Sequence, residues 1–220
     1  MAYRVAVEGI DGAGKETACR HAAKALSTGR KVAKIGRPVS IFEECREAVL
    51  YEDITNVVEG AREFSYESSI PGLSKVAEAL HILTQAGIER DVLSTHSPDL
   101  LIAKRDMVLC PAVYAPLPDI PVNTKLQAFN AIRPGGFPEI IVYLDVEPAA
   151  ADARITRRVA GGAFRQPHEN PADLEILRGR YMEALPLVKE YGVEIIEIDT
   201  TPLTAEEVGS RVTEEVAKRI

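Results

Sequence analysis

Apolar residues follow two rhythms along the chain, and the alternation between them sets out the elements. An apolar run of β type ends at Glu8, Lys31 to Ile35 and Val193 to Ile198 read as further strands, and Ile140 to Leu144 is continuously apolar, as a central parallel strand covered on both faces should be. Between them lie segments with a helical period. Residues 15 to 28 carry Ala18, Ala22, Ala25 and Leu26 on one face before Gly29, small side chains that let a helix sit close on a sheet. Residues 40 to 50 read as a further helix, and 51 to 70 are polar, weakly patterned and mobile in this reading. A long helix follows Pro71-Gly72, with Leu73, Val76, Leu80, Leu83 and Gly87 near a common face and Arg90-Asp91 towards its end. Helical stretches are also expected from Asn123, from Pro148, over 171 to 190, and from Glu206 to Arg219.

The middle of the chain allows two registers. In the favoured one, Ser97-Pro98 opens a helical turn through Lys104, and Asp106 to Cys110 is a buried strand stopped by Pro111. In the other the strand is Leu100 to Ala103, which carries Lys104-Arg105-Asp106 into the site. The prolines at 111, 116, 118 and 121 point to an ordered loop over 111 to 121. Strand, helix, strand in this order implies a parallel sheet with right-handed crossovers.

The first strand runs into Gly9-Ile10-Asp11-Gly12-Ala13-Gly14-Lys15-Glu16-Thr17. Gly9, Gly14 and Lys15 satisfy the P-loop spacing, in which successive backbone N–H groups and a lysine converge on phosphate oxygens, helped by the helix N-terminus. A dinucleotide fingerprint fits less well, because Thr17 stands where a third small residue belongs. Glu16 departs from the motif. A Ser or Thr hydroxyl belongs there as a magnesium ligand, and a carboxylate is itself a hard-oxygen donor for that ion. Glu16 is therefore the candidate Mg2+ ligand, the alternative being an ion pair with Arg20 one turn on.

Two basic features stand out against a net charge of −7 over 220 residues. Arg37 follows the second strand, where ligands of α/β sheets are met, and reads either as a phosphate ligand or as a solvated loop residue. Arg154, Arg157, Arg158 and Arg165 cluster around Gly161-Gly162, an arrangement that favours a mobile anion clamp over a solvated helix face. The acidic balance argues against a nucleic-acid polymer or an anionic membrane as partner. Cys19, Cys45 and Cys110 are far apart and odd in number, and His21, His81, His96 and His168 have no metal-ligand spacing. Free thiols, a reducing compartment and a soluble cytoplasmic protein follow as expectations. One domain spans 1–220, with a lid at about 154–170.

In this order of parts the chain resembles the thymidylate kinase family of P-loop nucleoside monophosphate kinases over almost its full length. The resemblance rests on Glu8 to Lys15, Arg37-Pro38, Arg90, Tyr143 to Pro148, the Arg154 to Arg165 segment and Glu194 to Asp199. It implies a three-layer α/β P-loop NTPase fold, a parallel sheet flanked by helices with a short arginine-rich lid, and a homodimer. It implies transfer of the γ-phosphoryl group of ATP, with Mg2+, to a nucleoside monophosphate, most naturally a pyrimidine deoxynucleotide. Gly9, Asp11, Gly12, Ala13, Gly14, Lys15, Glu16, Thr17 and Arg154 would hold the donor. Asp11, Arg37, Arg90 and Tyr114 would hold the acceptor, and Lys15, Asp11, Arg158 and Arg165 would act in catalysis. Two departures stand beside it. Counted without gaps from Arg90, the family's Asp-Arg pair falls on Pro111-Ala112, and Val113-Tyr114-Ala115 is the nearest counterpart of its thymine-reading segment. A kinase for another small acceptor, or a nucleotide-binding protein with little catalysis, remain the alternatives.

Overall fold

The computed structural model describes residues 2–36, 38–70, 72–114, 120–132 and 136–220. Its elements run β1 (Tyr3–Glu8), α1 (Lys15–Leu26), β2 (Val32–Ile35), β3 (Val39–Glu43), β4 (Arg46–Leu50), α2 (Glu52–Glu67), α3 (Leu73–Asp91), β5 (Leu100–Lys104), α4 (Leu109–Tyr114), α5 (Val122–Ile132), β6 (Ile140–Asp145), α6 (Pro148–Ala160), α7 (Pro171–Lys189), β7 (Glu194–Asp199) and α8 (Ala205–Ala217). The strands form one sheet in the order β4-β3-β2-β5-β1-β6-β7. β2, β5, β1, β6 and β7 are mutually parallel, so their carboxyl ends lie together on one side of the sheet. The central strand β1 pairs Val5 with Ile102 of β5 and with Ile140 of β6.

Alternation along β5 assigns its two faces. Leu101 and Ala103 join Ala33, Ile35, Ile88 and Val92 in a cluster beneath α3. Leu100 and Ile102 belong to the larger core, with Ala18, Cys19 and Ala22 of α1 and the apolar residues of β1 and β6. Each large side chain buried there stabilises the fold by roughly 1.5–3 kcal/mol relative to exposure.

Several expectations are corrected. Residues 40 to 50 form no helix; β3 and β4 make an antiparallel hairpin whose register runs from Val39↔Leu50 to Glu43↔Arg46. Its two-residue turn, Glu44-Cys45, has both residues at positive φ (50° and 61°), the geometry that suits the right-handed twist of a hairpin. Neither residue is the Gly, Asn or Asp that announces such a turn in a sequence. The polar stretch 51 to 70 contains the helix α2, which packs on α3 and buries Thr55 and Ser65. The strand of the middle segment is Leu100–Lys104, not Asp106 to Cys110. The Asp106 carboxylate accepts the N–H groups of Val108 and Leu109, each at 2.8 Å, and so opens α4, whose buried face takes Leu109, Ala112 and Val113. Pro111 sits in the first turn of α4, where a missing N–H costs no helix bond, so the proline-rich stretch begins as helix; residues 115 to 119 lie outside the described residues. Asn123 lies inside α5 rather than capping it.

Candidate active site

The loop after β1 is shaped by what glycine alone permits there. Gly9 has φ +139° and Gly12 φ +85°; a Cβ at Gly9 would meet the Leu144 carbonyl oxygen at 2.5 Å, and one at Gly12 the Ala151 oxygen at 2.7 Å. The loop is thus pressed onto β6 and α6, and any larger residue would push it away from the phosphate position. Gly14 caps α1 in the left-handed region. Lys15 is buried, 6% exposed. Its Nζ donates to the Gly9 and Ile10 carbonyl oxygens, both at 2.7 Å, and lies 3.7 Å from Asp11 Oδ1. Burial first, then the nearby Arg105 charge, lowers its pKa to about 8. Thr17 is exposed beside it on α1.

Asp11 is the centre of a second cluster. Arg105 Nη2 lies 2.5 Å from Oδ1, while Tyr114 O–H donates at 3.2 Å and His168 Nε2 lies 3.1 Å from Oδ2. Burial works against its charge, but Arg105, Lys15 and His168 outweigh burial and hold the carboxyl well below the usual carboxylate range. Arg105 stacks 4.4 Å over the Tyr114 ring, a cation–π contact. It sits at φ +79° just past the end of β5, strain that aims its guanidinium at the loop. Beneath them Glu8 accepts the Tyr181 hydroxyl at 2.7 Å and the Asp106 N–H.

Glu16 points the other way, into a third cluster. Lys34 Nζ donates to Oε1 at 2.6 Å, and Lys104 Nζ lies 3.0 Å from Oε2 as an ion pair without the alignment of a hydrogen bond. Arg20 is not its partner; it pairs with Glu47 of β4 at 2.6 Å. Burial opposes ionisation of Glu16, but Lys104 and Lys34 outweigh it and lower its pKa. The donor set here does not fit a magnesium ion. A divalent ion ~4 Å from one ammonium group is repelled by about 8 kcal/mol at an effective dielectric of about 20, an upper-end figure, and two ammonium groups face the single carboxylate. Among the described residues no three His, Cys, Asp or Glu side chains group to hold a metal. Pro111 and Ala112 lie inside α4, and the end of β5, the third parallel strand in chain order, carries Lys104 and Arg105. An arginine therefore stands at the end of this strand, where one was expected to be missing, and the residue before it is a lysine, so the carboxylate is absent as expected.

These clusters line one cleft of about 1640 Å3 over the carboxyl ends of the strands, with Asp11 to Thr17 as its floor and α6, α7 and the 161–170 loop as its far wall. Single-ligand pockets run to ~300–1,000 Å3, so the cleft has room for a donor and an acceptor. Arg157 and Arg158 line it; Arg165 does not. Arg165 is clasped to Asp152 and to the Glu169 carbonyl oxygen, while Arg158 pairs with Glu169 at 2.6 Å. Arg154 lines the cleft but is spent on carbonyl oxygens, those of Gly12 at 3.1 Å, Thr200 at 2.6 Å and Leu203 at 3.1 Å. It ties the glycine loop to the loop before α8, which the Thr204–Glu207 capping box fixes in turn. Arg90 is exposed on α3 and outside the cleft lining, and Arg37 lies outside the described residues. The favoured register left Lys104 and Arg105 out of the site, whereas the other one carried them in; not singled out at all were Lys34, His168 and Arg180, which faces the cleft and donates to the Val113 carbonyl oxygen. For Lys34 the visible signal was a lysine inside the apolar strand Val32–Ile35.

A glycine loop pressed over a helix N-terminus at the carboxyl edge of a parallel sheet, with a buried lysine beside it, is the arrangement of a P-loop phosphate cradle. No family model matches the chain. Its curated relatives include a thymidylate kinase of Leptospira interrogans, 26% identical over 182 residues covering 83% of this chain and 81% of that one. A putative thymidylate kinase of Aeropyrum pernix is 28% identical over 219 residues, 98% of this chain and 94% of the other. The fold is shared with deoxyadenosine kinase from M. mycoides. The structure of that enzyme with products dCMP and dCDP has a TM-score of 0.64 at 16% identity, covering 98% of this chain and 99% of that one. Its structure with dATP has a TM-score of 0.58 at 18% identity, over 97% and 99%. Over most of its length the chain is similar in sequence to thymidylate kinases, at 26–28% identity, and it shares its fold with a deoxyadenosine kinase.

Proposed function

We propose that the protein moves the γ-phosphoryl group of ATP to a nucleoside monophosphate. The observation that carries this reading is the single cleft in which the phosphate-binding loop, the Asp11–Arg105–Tyr114 cluster and the lid arginines face one another. Phosphoryl transfer asks for alignment and for neutralised charge more than for covalent help. Loop amides and Lys15 would hold the donor phosphates. Arg105, released from Asp11 or shared with it, and Arg180 would receive the acceptor phosphate, with Asp11 orienting the acceptor sugar and Tyr114 its base. Arg158 would close on the transferred group. In the same reading Arg90 is too far out on α3 to serve, unless α3 moves.

The protein is proposed to work as a homodimer in the cytoplasm. Val57, Phe64, Val76, Leu80 and Leu83, each more than half exposed on α2 and α3, form an apolar face that a second copy would cover. The three cysteines are free, and none of the described helices is long and apolar enough to cross a membrane.

The test is ADP release from ATP with a panel of deoxynucleoside and ribonucleoside monophosphates, with the nucleosides themselves included. Nucleosides belong in the panel because the solved neighbour is a deoxyadenosine kinase. Turnover with one or more monophosphates is the expected result. Turnover with nucleosides alone would move the acceptor class, and turnover with none would favour binding without catalysis.

A further inference from the structure

The Glu16 cluster has a geometry that phosphate binding by the loop does not call for. Lys34 is 0% exposed, on β2 between β3 and β5, opposite Ser40 and Ile102. An ammonium group taken out of water this far persists only when paired, and its partner is Glu16, the residue directly after the P-loop lysine. The same carboxylate holds Lys104, which reaches it from the end of β5. Gly36 closes the cluster from above: a Cβ there would stand 3.2 Å from Lys34 Nζ, 3.4 Å from Glu16 Oε2 and 3.4 Å from Lys104 Cβ. Two ammonium groups thus share the one carboxylate. Glu16 and Lys104 both line the cleft beside Lys15.

That position is where a P-loop protein places the hydroxyl that ligates magnesium, an ion that is often the largest local charge in a phosphate site. Here the hydroxyl is a carboxylate, and the charge beside it belongs to the protein. Two ammonium groups so close would repel each other in isolation; a carboxylate between them holds both at the phosphate end of the cleft.

We propose that the Lys34–Glu16–Lys104 cluster stands in for the divalent metal, so that this protein binds the triphosphate of ATP with its own ammonium groups and without magnesium. The proposal rests on the reading of ATP as the phosphoryl donor. Lys104, at the rim, meets the outer phosphates. Lys34, beneath it, keeps Glu16 ionised and turned away from them. Glu16 is a positioning residue in this scheme, and it contributes through the lysines it orients.

ATP titration of the full chain by calorimetry, once with excess magnesium and once with chelator, tests this directly. The expected dissociation constants agree within about threefold, whereas dependence on the metal is worth tenfold or more. Lys104→Met should weaken binding about tenfold in chelator and recover part of the loss with magnesium. The double variant Glu16→Thr with Lys104→Asp should bind at least tenfold more tightly with magnesium than without. A wild-type affinity that chelator lowers tenfold or more overturns the inference and leaves the kinase reading standing. Absence of ATP binding under both conditions overturns both together. The wild-type comparison needs no substitution, so a variant that fails to fold does not blunt it.

Discussion

The basic side chains that face the cleft are built in opposite ways on its two sides. On the floor, Lys15, Lys104 and Arg105 are buried or half-buried, with Lys34 buried beneath the cleft, and each is held by a carboxylate or by loop carbonyl oxygens. In the lid, among the described residues, Arg157 donates to the Ala153 carbonyl oxygen of its own helix, and Arg158, 44% exposed, leans on a Glu169 that is 1% exposed. The lid is anchored by Arg154 at one end and by Arg165 at the other, and the two arginines between them carry little fixed structure. A floor of this kind has its charges in place before a ligand arrives and loses nothing to reorganisation. A lid of this kind adapts, closing on whatever charge develops beneath it and shutting out water.

The sharpest break between the two sides is expected at Lys15. Lys15→Ala removes the cation at the outer phosphates, and turnover per folded molecule should fall by about 10²–10³-fold, the size of losing one preorganised donor in a dry site. The melting temperature should hardly move, since Nζ is bonded to the Gly9 and Ile10 carbonyl oxygens of its own loop and Arg105 remains to hold Asp11. If Arg158→Ala costs as much as Lys15→Ala, the floor has no special status and the contrast collapses.

A smaller effect separates the lid arginines from one another. Arg158→Ala should lower kcat by about tenfold with little change in the Michaelis constant for ATP, the mark of an interaction made mainly in the transition state. Arg165→Ala should instead destabilise the lid by about 1–2 kcal/mol through its lost bonds to Asp152 and the Glu169 carbonyl oxygen, leaving kcat per folded molecule near wild type. Urea midpoints and steady-state rates on the two variants read this out. A large kcat loss in Arg165→Ala with an unchanged midpoint would return it to the catalytic group in which the sequence had placed it.

The same contrast explains what could be read without a structure. The glycine loop and Lys15 were legible because their signal is local: spacing, a strand before and a helix after. The strands β1, β2, β6 and β7 were legible for the same reason. The Asp11 cluster was not, because it depends on where β5 ends. Leu100–Lys104 and Asp106 to Cys110 are both short and apolar, and only pairing with β1, Val7 opposite Lys104, decides between them. Choosing the wrong run moved Arg105 out of the site and made the Pro111-Ala112 position look vacant. Glu16 was misjudged for a related reason: its partners Lys34 and Lys104 come from two other strands, whereas Arg20, one turn along the same helix, was the partner that sequence alone suggested. In the lid the arginines were visible as a cluster, but which of them face the cleft is settled by Asp152 and Glu169.

The smallest expected effect is a pH dependence of stability that arises in the floor. Burial raises the pKa of Glu8 from 4.5 to about 7, against the hydrogen bonds from Tyr181 and Asp106. Burial also lowers that of Lys15 from 10.5 to about 8. The native state therefore binds more protons than the unfolded chain between about pH 4.5 and 7, through Glu8, so this contribution is full below 4.5 and is lost as pH rises through 7. Between about pH 8 and 10.5 the native state binds fewer protons, through Lys15, and stability rises again. The two groups together place a shallow minimum between pH 7 and 8. Water entry and relaxation around a buried carboxyl soften the full displacement, so we expect Glu8 to contribute about 1 kcal/mol of the fall. Glu8→Gln keeps a polar group that can bond both Tyr181 and Asp106 but does not titrate. Urea midpoints measured at intervals from pH 5 to 9 should show wild type losing ground to Glu8→Gln between pH 5 and 7, with the two curves parallel above 8. Curves that stay parallel from pH 5 would mean that Glu8 is ionised in the native state throughout, and that Lys15 and Arg105 compensate its burial as fully as Lys34 and Lys104 compensate that of Glu16.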